Sequence, residues 1–109
     1  MGAASGKIQV LVTPDRLDAV AVDDFKQEFR QALEISEVGI VVDLSQTLFI
    51  DSAGLGALVS LLKGCNQHDK RLALASPTAQ IRQIVELTRL HRLLDIYESV
   101  EAARNAVLK

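Results

Sequence analysis

Residues 38–44 (VGIVVDL) form a nearly continuous run of apolar, mostly β-branched side chains. A run of this length and composition predicts a strand that is buried on both faces, as strands of parallel sheets are. Such a strand needs helices to cover its sheet. Apolar residues at three- and four-residue steps predict one helix before the run, ending near Ser36, and another from Ser52 to about Gln67.

Strand and helix patterns alternate along the rest of the chain. Residues 7–13 (KIQVLVT) alternate as a strand does, and Pro14 ends that pattern because it cannot continue a central strand. Residues 71–75 (RLALA) predict a further strand, and residues 95–98 predict a short terminal one around Ile96. Strands that alternate with helices predict an α/β fold with a mixed, mostly parallel sheet of four to five strands.

Capping residues suggest where several helices begin. Residues 15–18 predict a turn, with Asp18 as the N-cap of the first long helix. Ser76 followed by Pro77 predicts an N-cap and a first turn. Ser99 predicts the N-cap of the last helix.

Composition excludes several classes of function. The 109 residues suit one domain, and 49% apolar and 24% charged residues are typical of a globular chain. The net charge of −2 and the pI of about 5.6 are unlike the basic patches of nucleic-acid binders. Cys65 is the sole cysteine, so neither an internal disulfide nor a cysteine metal cluster is expected. No apolar run approaches a membrane span, and we expect a cytoplasmic protein without a cofactor.

Residues 49–56 (FIDSAGLG) lie where the buried strand gives way to a helix. Gly54 and Gly56 each cost the helix roughly 0.5–1 kcal/mol relative to alanine, which favours close approach of another element or protein. Ser52 is predicted at or near the N-cap, where a serine stabilises a helix by about 1 kcal/mol. The same position would also accept a phosphoryl group, which adds negative charge beside Asp51 and would repel a partner fitted to a neutral hydroxyl.

The stretch from Val41 to Leu58 (VVDLSQTLFIDSAGLGAL) resembles the signature of STAS-domain anti-sigma-factor antagonists, bacterial regulators of transcription. The segment Asp-Ser-x-Gly-Leu-Gly in its strand-to-helix setting is the most specific part of the likeness. Arg16-Leu17-Asp18 resembles the Gly-Glu-Leu-Asp turn of that family. The resemblance covers nearly the whole chain and implies a small STAS-type domain over residues 7–109, with helices mainly on one side of the sheet, after a flexible N-terminus at residues 1–6.

The resemblance implies a partner-switching mechanism. The unphosphorylated protein would bind a GHKL-type serine kinase that is also an anti-sigma factor, and this binding would free the sigma factor. The kinase would then phosphorylate Ser52 and release the antagonist, and a PP2C-like phosphatase would restore it. The implied partner-binding residues are Asp18, Asp51, Ser52, Ala53, Gly54, Leu55 and Gly56. Asp15 and Arg16 depart from the family's glycine and glutamate, and a leading hairpin strand is expected to be short or absent.

Other readings of the same residues are weaker. Asp18 and Asp51 could form a catalytic carboxylate pair, although a cap and a turn explain them more simply. A serine hydrolase would need a histidine base near Ser52, and the candidates are His68 and His91. The glycines lack the Gly-Lys-Ser/Thr ending of a phosphate loop, so no enzyme is expected. The remaining alternative is a non-cycling STAS subunit of a transporter or signalling scaffold, which would need no phosphoacceptor.

Overall fold

A parallel sheet forms the centre of residues 7–109, the part of the chain that the structure, a computed structural model, describes. Across this sheet the strands lie in the order β1 (Ile8–Val12), β3 (Gly39–Asp43), β5 (Arg71–Ala75) and β6 (Ile96–Tyr97). A separate small parallel sheet joins β2 (Arg16–Leu17) to β4 (Phe49–Ile50). The predicted α/β class with a largely parallel sheet is confirmed.

The central strand β3 has the burial that its sequence predicts. It pairs with β1 and β5 in register, so that Val41 lies between Val10 and Ala73. Ile40, Val41 and Val42 have no exposed surface. Because successive side chains point to opposite faces, burial of all three requires a covering layer on each side of the sheet.

Helices supply those layers unequally. One face of the sheet packs into a cluster with α1 (Val22–Ile35), α2 (Ser52–Gln67) and α3 (Ala79–Leu87), whose apolar positions include Phe25, Leu58 and Ile81. The other face is covered by α4 (Val100–Leu108) through Ala103 and Val107. The prediction that helices lie mainly on one side is therefore confirmed.

Two predicted helix starts were wrong by a few residues. Ser76 does not cap α3, because its backbone is left-handed (φ 55°) and its N–H donates to the carbonyl of Tyr97 in β6. Thr78 is the N-cap instead, and its hydroxyl accepts the N–H of Ile81 at 3.3 Å. Asp18 likewise precedes α1 by a turn, and the N-cap of α1 is Ala21, which makes no side-chain capping bond.

The predicted turn at residues 15–18 contains the short strand β2, and residues 49–50, predicted as a crossing segment, form β4. Two residues are too few to show a periodicity, so neither strand was visible as a pattern. The expected flexible N-terminus at residues 1–6 lies outside the described residues. No helix within residues 7–109 has both the length and the apolar character needed to cross a membrane.

Candidate functional site

The small sheet brings the two predicted carboxylates together. Its register pairs Arg16 with Phe49 and Leu17 with Ile50. Asp18 and Asp51 are the next residues along the two strands, so they leave neighbouring parallel strands at the same edge. Ligand sites of parallel sheets tend to lie beyond such carboxyl ends. Buried Leu17 and Ile50 anchor the sheet to the core and thereby fix where the carboxylates lie.

Asp51, rather than Ser52, is the N-cap of α2. Its backbone is extended (φ −108°, ψ −173°), and its Oδ1 accepts the N–H of Gly54 at 2.9 Å. Its Oδ2 accepts the N–H of Ala19 at 3.2 Å, which ties the loop after β2 to the start of α2. The prediction that left Ser52 at or near the N-cap is thus refined: Ser52 is the first residue of the helix and leaves the capping bond to its neighbour.

Asp18 organises the loop that Asp51 holds. Its Oδ1 accepts the N–H groups of Val20 and Ala21, each at 3.1 Å, and its Oδ2 lies 3.4 Å from Nε of Arg16. The N–H of Ala21 beside this carboxylate, helped by Val20 and Arg16, holds the pKa of Asp18 below its usual range. Both carboxylates are thus bonded to backbone amides, which is the arrangement of turn and cap residues rather than of a proton-sharing catalytic pair.

Ser52 is exposed at the first position of α2, next to half-buried Ala53. The two nearby glycines, Gly54 and Gly56, have different roles. A Cβ on Gly54 would collide with the carbonyl oxygen of Leu17 and lie 2.7 Å from Cγ1 of Ile50, so close packing on the small sheet requires glycine there. A Cβ on Gly56 would meet nothing within 4 Å. Gly56 is exposed one helical turn after Ser52, so both present a small surface on the same side of the helix.

Exposed apolar side chains lie close in the chain to Asp18 and Asp51, and the predicted set of site residues did not include them. Val20 is 89% exposed, Leu48 62% and Phe49 39%. Arg16 lies over the Phe49 ring, 4.2 Å from its centroid. Phe49 begins the segment 49–56 and was the one signal in the sequence, since Val20 and Leu48 are single apolar residues in loops. Exposed apolar groups rimmed by charge are typical of surfaces that bind other proteins.

The loop that carries Leu48 is held by three threonines, of which Thr13 and Thr47 are buried and Thr78 is half-buried. The hydroxyl of Thr47 donates to the carbonyl of Pro14 at 2.7 Å and also bonds the hydroxyl of Thr13. Thr78 donates its hydroxyl to the carbonyl of Thr47 at 3.2 Å. These bonds join the ends of β1 and β3 to the cap of α3, so the exposed residues next to them rest on a fixed support.

The candidate histidines lie away from Ser52. His68 is at the opposite end of α2, roughly 24 Å along a helix of this length, and its Nδ1 bonds the carbonyl of Gly64. His91 is exposed in the short 3-10 helix Leu90–Arg92.

Cys65 is buried inside α2, and this burial raises the pKa of its thiol to about 11. Residues 7–109 contain no cluster of three or more potential metal ligands.

Comparison with known proteins places this arrangement in a family. Residues 4–103 match the family model described as the STAS domain. The anti-sigma-B factor antagonist of Staphylococcus aureus is 31% identical over 85 residues, which are 78% of this chain and 79% of the relative. A protein of Thermotoga maritima, provisionally described as an anti-sigma factor antagonist, has a similar structure with a TM-score of 0.80 and 28% identity. That match covers 92% of this chain and 88% of the other.

More distant structures share the fold. A sulfate transporter family protein from Wolinella succinogenes has a TM-score of 0.77 at 11% identity, over 92% of this chain and 84% of that one. The Bacillus cell fate determinant SpoIIAA in its phosphorylated form has a TM-score of 0.67 at 20% identity, over 90% and 88% of the two chains. At these identities the likeness shows the fold alone.

Proposed function

This chain belongs to the STAS domain family, and we propose that it is an anti-sigma-factor antagonist whose binding state is set by phosphorylation of Ser52. The observation that carries the proposal is the division of roles at the start of α2. Asp51 caps the helix, so the hydroxyl of Ser52 is exposed and has no capping bond to lose. A kinase could modify it without removing a contact that stabilises the fold.

Charge explains how modification would act. A phosphoryl group adds roughly −1.5 to −2 charges at neutral pH. It would stand next to Asp51, whose carboxylate already occupies the helix cap, and close to the turn formed by Asp18. The surface would change from a neutral hydroxyl to a concentrated negative charge while the backbone stayed in place. Like-charge contact at an interface costs several kcal/mol, which is enough to release a partner.

The proposed partner surface consists of the exposed and half-buried residues around that hydroxyl. It joins the predicted set, Asp18, Asp51, Ser52, Ala53, Gly54, Leu55 and Gly56, to the exposed apolar side chains of Val20, Leu48 and Phe49. Within this set Gly54 acts indirectly, because it is buried and sets the distance between α2 and the small sheet. The bare backbone at Gly56 would allow a protein to approach Ser52 closely.

The relatives support an anti-sigma factor as the partner, and the resemblance of residues 41–58 to the antagonist signature implies the classes of kinase and phosphatase. The S. aureus relative is named as an antagonist of an anti-sigma factor, and SpoIIAA has a phosphorylated form. For this chain we propose a GHKL-type serine kinase that is also the anti-sigma factor, and a PP2C-like phosphatase that reverses the modification. The chain itself would act by binding, in the cytoplasm, and would catalyse no reaction.

The test measures the intact mass of the purified chain after incubation with ATP and a lysate of its host. The wild type should gain one phosphoryl group, and Ser52→Ala should gain none. Ser60→Ala is the matched control, because Ser60 is an exposed serine on the same helix, two turns further along. It should be modified as fully as the wild type. Modified and unmodified protein would then be compared for binding to the isolated kinase, and the modified form should bind at least tenfold more weakly.

Two results would contradict the proposal. One is equal modification of the wild type and Ser52→Ala, which would place the acceptor elsewhere. The other is no modification in a lysate whose kinases phosphorylate a control antagonist. The second result would favour a non-cycling subunit of a transporter. This is the second candidate function, because a sulfate transporter family protein has the same fold.

A further inference from the structure

The outer edge of β1 is a second surface with the features of an interface. β1 is the first strand in the order of the main sheet, and within residues 7–109 no strand pairs with its outer side. The N–H of Thr13 and the C=O of Lys7 bond the β3 side. Because backbone groups of alternate residues point to opposite sides of a parallel strand, those of Ile8, Val10 and Val12 point outwards.

Within the part of the chain that the structure describes, this edge lacks the usual devices that prevent pairing. Proteins protect edge strands with charged residues, proline, bulges or very short strands. The other edge of the sheet is protected in this way, since β6 has only two residues. β1 has five residues, IQVLV, none of them charged or proline. Val10 and Val12 leave 39% and 44% of their surface exposed beside it.

We infer that β1 pairs with β1 of a second copy of this chain, antiparallel and across a two-fold axis at Val10. In this register Val10 faces Val10 of the other copy, and Ile8 faces Val12. All outward backbone groups of the strand then find partners, and the exposed valines pack against β-branched residues. The two sheets become one continuous sheet, and the contact is the same for both copies, as a closed dimer requires.

Charge complementarity supports a second copy as the occupant. Beyond the carboxyl end of β1 a surface cavity of about 350 Å³ is lined by Val12, Thr13, Asp24 and Glu28, among other residues. Neither carboxylate forms an ion pair within residues 7–109. The same register sets Lys7 of the second copy opposite Thr13, beside these carboxylates. Symmetry repeats this opposite-charge approach at the other end of the interface.

The test uses cysteine cross-linking, which reads the register directly. The native Cys65 is fully buried, so it does not compete. In Val10→Cys the two new thiols would lie on the axis, with Cα atoms about 5.5 Å apart, which suits a disulfide. Val12→Cys is the matched control on the same face of the same strand, because its two copies would lie ~13 Å apart. We expect Val10→Cys to become a covalent dimer under mild oxidation and Val12→Cys to remain largely monomeric.

Sedimentation of proteins without new cysteines gives an independent measurement. Val10→Lys would set like charges against each other on the axis, and the dissociation constant of the dimer should rise about tenfold or more. Leu87→Lys, at an exposed position on α3 away from β1, should leave it unchanged. Lys7→Glu should weaken the dimer, and adding Glu28→Lys should restore it.

Equal cross-linking of the two cysteine variants would overturn the proposed register. A wild type that stays monomeric up to about 1 mM would overturn the dimer itself. A second copy would then not be the partner of the β1 edge. Neither outcome depends on phosphorylation, so the test is separate from that of the proposed function.

Discussion

The starts of α2 and α4 both carry an exposed serine, and the two serines have different roles. At α4, Ser99 is the N-cap, with an extended backbone (φ −143°, ψ 159°) and a hydroxyl that accepts the N–H of Ala102 at 3.0 Å. At α2 the preceding Asp51 takes that role, and Ser52 lies one position inside the helix. The serine of α4 therefore stabilises its helix, whereas the serine of α2 is exposed without a capping bond, as the proposed phosphorylation requires.

The residues in the first turns of α4 and α2 also differ. That of α4 contains Glu101, which interacts favourably with the positive end of the helix dipole. That of α2 contains no acidic residue and is followed by Gly56, which no packing contact requires. Glycine lowers the stability of a helix, so Gly56 makes the exposed start of α2 less stable than alanine would. The start of α4 has no such glycine. This difference is what we expect if the start of α2 has the proposed binding role and the start of α4 is structural.

The largest effect is expected from Gly54→Ala, which tests whether the start of α2 is fixed by the small sheet. The new methyl group would collide with the carbonyl of Leu17 and press on Ile50, so α2 or β2 would have to move. Overpacking of this kind costs about 2–3 kcal/mol in the free energy of unfolding. Urea denaturation of the variant and the wild type measures it.

Gly56→Ala is the matched control for that variant. It should raise the free energy of unfolding by about 0.5–1 kcal/mol, because the helix gains an alanine in open space. If both alanines changed stability in the same direction, the two glycines would not have the separate roles that the contacts give them.

The sequence allowed much of this architecture to be predicted. The strands β1, β3 and β5, the end of α1 and the limits of α2 follow from apolar periodicity, since burial of a continuous face requires it. The strands β2 and β4 are stabilised by tertiary packing of Leu17 and Ile50, which a two-residue pattern does not show. Helix caps were displaced for a similar reason, because capping depends on backbone angles such as the positive φ of Ser76.

The candidate site divides in the same way. The motif at residues 51–56 was readable because its residue types are unusual at a helix start. Its neighbour Val20 was not, since a lone valine in a loop carries no signal until the fold shows it 89% exposed beside Asp18. The bond from Ala19 to Asp51 joins residues that are 32 positions apart in the chain, and the chain order alone does not reveal such a contact.

A second, smaller effect separates the two serines. Ser99→Ala should lower the free energy of unfolding by about 1 kcal/mol, because the N–H of Ala102 loses its acceptor. Ser52→Ala should change it by no more than about 0.5 kcal/mol, as is usual for exposed positions without a structural bond. Thermal or urea unfolding of both variants under one set of conditions makes the comparison. Equal losses would mean that Ser52 also stabilises its helix, and the contrast between α2 and α4 would fail.

The smallest effect concerns pH and extends the comparison to the loop beside α2. The pKa of Asp18 is lowered in the folded protein by the N–H of Ala21, so the ionised carboxylate stabilises the fold at pH values above its ordinary pKa of 3.8. This contribution is lost as the pH falls through the lowered pKa of the folded state. The difference in stability between the wild type and Asp18→Asn should therefore be present near neutral pH and should shrink in acid. Ser99→Ala, whose cap has no titrating group, should differ from the wild type by the same amount throughout. If the stability difference between the wild type and Asp18→Asn widened as the pH fell, the assigned direction of the pKa shift of Asp18 would be wrong.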